Sequence, residues 1–332
     1  VTAFLVAFSP LIAIVGVSPS ADAPTNWFVL GGLWVLLIGV KKHNGWLAFA
    51  AGAIFGGACW LRVNPLLLSG FLATAIIIFD DQKSLKRIQM GGLVVLGTVL
   101  VISPIVIRNY VSFPDFTPLG GTIGINLWEG LGETDLGRSN GFLYGDHLMI
   151  ERERVQMGLS PDSPIEAMWP DGIKRERART RESLHFIAHH PFWYSGVMLR
   201  RMWGMLKVAG DPSPYYGTAG INVTSKKCLP TTQQSGILAL LVNLLGMIQS
   251  VTRYALLPLA VVGCWLAISR NWIGSLLLLT IAIYYLVPGT AAHTEIRYVL
   301  SLHCVIAIFA ALGLCKVIDT LALTVSKHAT HS

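Results

Sequence analysis

Apolar residues run through this chain in eight blocks set apart by short polar breaks, with one polar gap far longer than the rest. The blocks fall at about 1–18, 26–40, 46–61, 65–79, 89–107, 252–268, 272–288 and 298–316. Each approaches the roughly 20 apolar residues that a membrane-crossing helix needs, and the shorter ones predict bent or partly embedded helices. The long gap, about 108–235, holds 27 of the 43 Asp, Glu, Lys and Arg residues. So much charge predicts a folded, mostly helical insert rather than a connector. Residues 236–250 (GILALLVNLLGMIQS) are apolar enough to span, but a span there would reverse the sidedness of everything after it. They are read instead as a helix lying along the interface and feeding a span that begins near Arg253. The predicted organisation is a bundle of about five spans (1–107), the insert (108–235), and an interfacial helix, about three spans and a tail (236–332).

Composition supports a membrane protein. Hydrophobic residues make up 53% of the 332 and charged residues only 13%, about half the usual share of a soluble domain. Mean hydropathy is +0.58. Disordered, fibrous and disulfide-stapled classes are excluded. Cys59, Cys264, Cys304 and Cys315 lie in apolar runs, which leaves Cys228 alone in the polar gap. The net charge of +7 does not signal nucleic acid, because the cations flank spans and are not interleaved with stacking aromatics. They set orientation instead. Lys41 and Lys42, then Lys83, Lys86 and Arg87, then Arg270, Lys316 and Lys327 fall on one side, which the positive-inside rule makes cytoplasmic. The 108–235 insert then lies outside, in the periplasm if the source is bacterial. Val1 stands inside an apolar run with no initiator Met or charged leader. This predicts the C-terminal portion of a longer protein.

Ionisable residues at membrane level are expensive and mark function. Several map to the extracytoplasmic edge: Asp22, Arg62 and Asn64 before Pro65, Arg108 and Asn109 at the end of the fifth span, and His293, Glu295 and Arg297 before the last. Each arginine alone could simply snorkel to headgroups. Together they suit an anionic lipid headgroup, because guanidinium binds phosphate through paired hydrogen bonds and keeps its charge. A nearby carboxylate could take the proton of an acceptor hydroxyl. Other signals have plainer readings. The mixed run 174–182 (KRERARTRE) predicts a solvated helix. His189 and His190 read as surface residues at a helix end, and Arg200 and Arg201 as part of an amphipathic helix resting on the membrane. Asn222 starts an NVT triplet, a pattern frequent by chance.

Four stretches resemble the membrane glycosyltransferases of the GT-C class, in particular bacterial relatives of the dolichyl-phosphate-mannose protein mannosyltransferases and aminoarabinose transferases (glycosyltransferase family 39). They are GAIFGGACWLRVNPLLL, SPIVIRNYVSFPDFTPLGGTIGINLWEGLGE, SLHFIAHHPFWYSGVMLRRMWGMLK and HTEIRYVLSLHCVIAIFAALGL. The resemblance implies transfer of a sugar from a polyprenyl phosphate to a protein, lipid or glycan acceptor outside the cytoplasm, with membrane lipids around the donor. It assigns the donor phosphate to Arg297, His293, Arg62 and Arg108, and a donor–acceptor groove to Asn64, Asn109, Tyr298, Asn126, Trp128 and Glu129. The family's first span and acidic first loop have no counterpart here. The catalytic carboxylates expected here are therefore Asp22, to bind acceptor or a divalent metal or to act as base, and Glu295, to orient Arg297 or a metal. Three other readings stay open: a ligase or polymerase using a polyprenyl diphosphate glycan, a non-catalytic lipid-binding protein, and a transporter. Against the last, no paired broken helices are evident.

Overall fold

The computed structural model describes residues 1–7, 9, 12, 20–113, 115–117, 119–120, 123–166, 172–206, 236–293 and 296–329. Among them there are helices and turns but no β-strand. They divide into two compact units. The first comprises Val1–Leu100, Gly204–Leu286 and Ile296–Ser332; the second comprises Val101–Trp203 and Val287–Glu295.

The first unit holds α1 (Thr2–Ala7), α2 (Asp22–Lys41), α3 (Gly45–Leu61), α4 (Leu68–Phe79) and most of α5 (Ser84–Ser112). It continues with α11 (Ile237–Arg270), α12 (Trp272–Leu286) and α13 (Leu300–Ala329). Four helical segments are long and apolar enough to cross a membrane: Asp22–Lys41, Ser84–Ser112, Trp272–Thr290 and Arg297–Leu323. Their outward faces are also apolar. In α2 the core takes Val29, Leu33, Leu36 and Val40, while Trp27 and Trp34 face outward, 77% and 66% exposed. A helix that is apolar all round belongs in lipid. The described residues are those of a helical membrane protein.

A short turn joins α2 to α3. His43 takes the left-handed backbone conformation (φ 51°), and the Asn44 side chain accepts from the N–H groups of Trp46 and Leu47, capping α3. The two helices therefore run antiparallel, which returns Arg62 to the level of Asp22. The turn that includes Pro65 consumes residues 62–67. That leaves α4 with 12 residues, about 18 Å at 1.5 Å per residue. It is too short to cross alone, so the predicted span at 65–79 is corrected to a short apolar helix. Of the predicted first span, only Thr2–Ala7 is described as an element.

A second correction concerns 236–250. These residues do not form a separate interfacial helix: α11 runs unbroken through 34 residues, with Pro258 inside it.

The second unit holds the end of α5, then α6 (Ile123–Gly132), α7 (Asp135–Ser139), α8 (Asp146–Gln156), α9 (Gly172–His189) and most of α10 (Pro191–Leu206). Its core is Ile125, Trp128, Leu131, Phe142, Met149, Tyr194 and Val197. Arg108 and Asn109 lie within α5, past Pro104, rather than at the helix end. Residues 207–235, with Asn222 and Cys228, lie outside the described residues, as does Glu295.

Candidate functional site

In the first unit a small polar pocket forms where four pieces of chain meet. Asp22 opens α2, where the helix dipole favours a carboxylate. Arg62 leaves α3 in extended conformation (φ −147°, ψ 143°), which lets its side chain fold back. Its guanidinium grips Asp22 with two prongs, Nε to Oδ1 at 2.8 Å and Nη2 to Oδ2 at 2.9 Å. The 3-10 turn Ile296–Val299 brings Arg297 and Tyr298. Both guanidiniums share the Tyr298 ring, Arg62 at 4.9 Å and Arg297 at 5.3 Å from its centroid. Asn64 completes that wall, and its carbonyl accepts from the Tyr284 hydroxyl.

Sequence reasoning missed the floor of this pocket. Ser301 donates to Asn26 Oδ1 at 2.8 Å, and Asn26 reaches Cys304 Sγ at 3.5 Å. Thr25 and Tyr285 also line it. Spacing was the available signal, since Asn26 lies one helical turn past Asp22 and Ser301 one turn past Arg297. The open space is about 10 Å³, room for about one water. The Asp22 side chain is only 3% exposed, with both oxygens held by Arg62. Among the described residues no three His, Cys, Asp or Glu side chains gather to hold a metal ion.

Other predicted site residues belong to the second unit. His293 is one of them. Its backbone N–H donates to Asn126 O at 2.7 Å, and its Nδ1 lies 2.6 Å from Glu133 Oε1. Arg201 fastens the same loop. It donates to the carbonyls of Gly130, Thr290 and Ala292 and pairs with Glu133 at 3.2 Å. With a side chain only 10% exposed, Arg201 is a structural clamp, which corrects its reading as a membrane-surface residue. Gly130 permits the approach, because a Cβ there would fall 2.7 Å from the His293 nitrogen. Glu129 is half-buried beside them, and its carboxyl lies above the ordinary range. Burial is the main cause and the Asp146 charge adds to it, against the pull of His293 and the Gly145 N–H. Arg108 is turned onto its neighbour, donating to Asn109 Oδ1 at 2.8 Å. Asn109 in turn donates to Thr117 O at 3.1 Å.

The mixed run 174–182 is solvated on one face, with Lys174, Arg177, Arg181 and Glu182 exposed, but not on the other. Arg179 and Glu176 are buried, and Arg179 binds both oxygens of Glu153 at 2.6 Å. Glu176 accepts from Gly124 N at 2.5 Å and Ile125 N at 3.2 Å, capping α6. Burial pushes Glu153 up, but Arg179 and Arg175 outweigh it and hold the carboxyl below its usual range. For Glu176 burial prevails, and its carboxyl sits above that range. The two have opposite consequences for pH stability. Glu153 stabilises the fold above its unfolded value of about 4.3, and this is lost as pH falls through its lower folded value. Glu176 favours the fold at low pH, and its contribution fades as pH rises through its higher folded value. E153Q should therefore flatten the acid limb of unfolding below about pH 4, and E176Q should remove an opposing slope above it. Acid titration of second-unit unfolding, followed by hydrogen exchange, checks both. Unchanged profiles would mean that neither carboxylate is linked to folding.

His189 and His190 each place Nδ1 on the carbonyl four residues back, at 2.8 and 3.0 Å. The chain matches no protein-family profile, no curated protein and no solved structure.

Proposed function

We propose that this chain is a membrane glycosyltransferase of GT-C type, moving a sugar from a polyprenyl phosphate to an acceptor on the extracytoplasmic face of a bacterial inner membrane, with the insert in the periplasm. The observation that supports it is the pair of guanidiniums on one tyrosine at the ends of membrane helices, Arg62 and Arg297 over Tyr298. A polyprenyl phosphate presents its charge at that depth. When the bond from the sugar's anomeric carbon to the phosphate oxygen breaks, its electron pair stays on the phosphate, and fixed cations stabilise that charge. Asp22 holds Arg62 in position rather than taking a proton. Glu295, two residues before Arg297 in the chain, is assigned the proton of the acceptor hydroxyl.

Arg297→Ala should lower transfer by about 100-fold or more without changing helicity. Release of polyprenyl phosphate from a labelled lipid-linked sugar in nanodiscs measures it, and near-normal turnover by a well-folded variant would refute the role. A diphosphate-linked glycan run in parallel separates a ligase or polymerase from this reading. A second reading has its own support: the locked Asp22 and the small pocket suit a protein that binds the lipid phosphate without catalysis. Binding of polyprenyl phosphate with no sugar released from any donor would select it.

A further inference from the structure

The C-terminal end of α9 carries two histidines that take no part in the transferase reading. His185 and His189 are four residues apart, so they share one face of the helix. Both are exposed, and their ring centroids lie 4.2 Å apart with the planes tilted by 41°. We propose that the pair is a binding site for a divalent transition metal of the copper, nickel and zinc class. The state of each ring supports this. His189 Nδ1 lies 2.8 Å from the His185 carbonyl oxygen. A carbonyl only accepts, so Nδ1 carries the hydrogen, and the neutral ring keeps its lone pair on Nε2, away from the backbone. Metal-ligating histidines are fixed in this way, with the other ring nitrogen donating to a carbonyl or carboxylate. The His185 ring makes no hydrogen bond or ion pair among the described residues, so it can turn to meet an ion. Nitrogen–metal bonds of about 2.0–2.1 Å put two nitrogens on one ion roughly 3 Å apart. Rings already this close reach that separation by side-chain rotation, with no movement of the helix.

Position and donor type narrow the class. α9 ends at His189, and the partial negative charge at a helix C-terminus favours a cation. Imidazole suits zinc, copper and nickel, whereas magnesium and calcium take oxygen ligands. Among the described residues no third His, Cys, Asp or Glu gathers with the pair. Two protein ligands are too few for a closed structural zinc site, so water completes the coordination. Copper(II) is then the tightest of the divalent ions. His190 supplies an internal contrast. It follows His189 directly, and consecutive residues on a helix do not face one another. Its ring is half-buried against Phe186, at 4.6 Å between centroids, and Trp193, at 6.3 Å. The site stands independently of the transferase reading.

The test uses the full chain, without a histidine tag, in nanodiscs. Copper(II), nickel(II), zinc(II) and magnesium chlorides are titrated in turn by calorimetry, and copper is also followed by electron paramagnetic resonance. The expected result is a saturable copper equivalent whose spectrum shows two imidazole nitrogens, with weaker binding of nickel and zinc and none of magnesium. H185A and H189A should each weaken that equivalent by about tenfold or more, because the second imidazole binds as an intramolecular partner. H190A should leave it unchanged. Zinc should also slow amide exchange at the end of α9 in the native chain and not in H185A. Copper binding that survives both single variants at full affinity, or that H190A removes, would place the metal elsewhere and overturn the proposal. A spectrum without imidazole nitrogens would overturn it as well.

Discussion

Arg179→Ala should destabilise the second unit by about 3–5 kcal/mol, the cost of breaking a buried ion pair by removing one partner. The side chain is 2% exposed, and its three donor groups serve two carboxylates. Nε and Nη2 hold Glu153 at 2.6 Å, and Nη1 holds Glu176 at 3.2 Å. Truncation leaves Glu153 with Arg175 alone. It also leaves Glu176, already raised by burial, with only the backbone N–H groups at the start of α6. The damage should therefore appear in α6 as well as α9, because Glu176 is the cap that ties them. Arg179→Lys should fall between, since one ammonium cannot reproduce the two-pronged grip on Glu153. Thermal unfolding with hydrogen exchange across 123–132 and 172–189 measures the loss. A cost under about 0.5 kcal/mol, typical of surface sites, would return this helix to the solvated reading.

The second large effect lies in the packing of α11 on α13. A Cβ built on Gly263 would fall 1.7 Å from the Phe309 carbonyl oxygen, and one on Gly313 would fall 2.1 Å from that of Leu259. Each glycine faces the other helix's backbone, so no side chain can yield and the helices themselves must part. In lipid, helices associate through close packing rather than through the hydrophobic effect, so lost proximity is lost affinity. Gly263→Ala should cost about 1–3 kcal/mol by overpacking, and Gly263→Leu should prevent a stable fold. The double variant Gly263→Ala with Gly313→Ala should be far from additive, since both alter one contact. Gly92→Ala, in α5 with nothing within 4 Å of its added carbon, should be neutral or gain up to about 1 kcal/mol of helix propensity. Thermal stability in detergent reports the series. Equal behaviour of Gly263→Ala and Gly92→Ala would show that the helices are not held this closely.

Several parts of the candidate site were legible before any coordinates. Asp22, Arg62, Asn64 and Arg297 were singled out as polar positions at one edge of apolar blocks, Tyr298 came from the resemblance, and all five share one pocket. That inference works because hydrocarbon penalises charge, so each ionisable residue in such a sequence is already selected. His293 was placed in the same group from its nearness to Arg297 in sequence. Within the second unit its backbone N–H meets Asn126 and its ring meets Glu133, partners that the sequence did not name. No local pattern in the sequence records which partners such a loop residue meets.

The apolar blocks, their lengths and the concentration of charge in 108–235 are properties of the sequence alone. They determined an all-helical membrane protein because transfer free energy is summed along the chain and needs no partner. Partnership was decided only in the tertiary structure. The run 174–182 has the same composition whether solvated or buried. Burial of Glu176 and Arg179 on one face followed because Glu153 on α8 and two N–H groups of α6 were there to satisfy it. The break expected near residue 250 vanished because α11 continues as one helix, and its glycine is free to meet the Phe309 backbone on α13. Hydrogen bonds and close contacts between distant segments depend on geometry that hydropathy does not encode, which is why the helices could be read and their pairing could not.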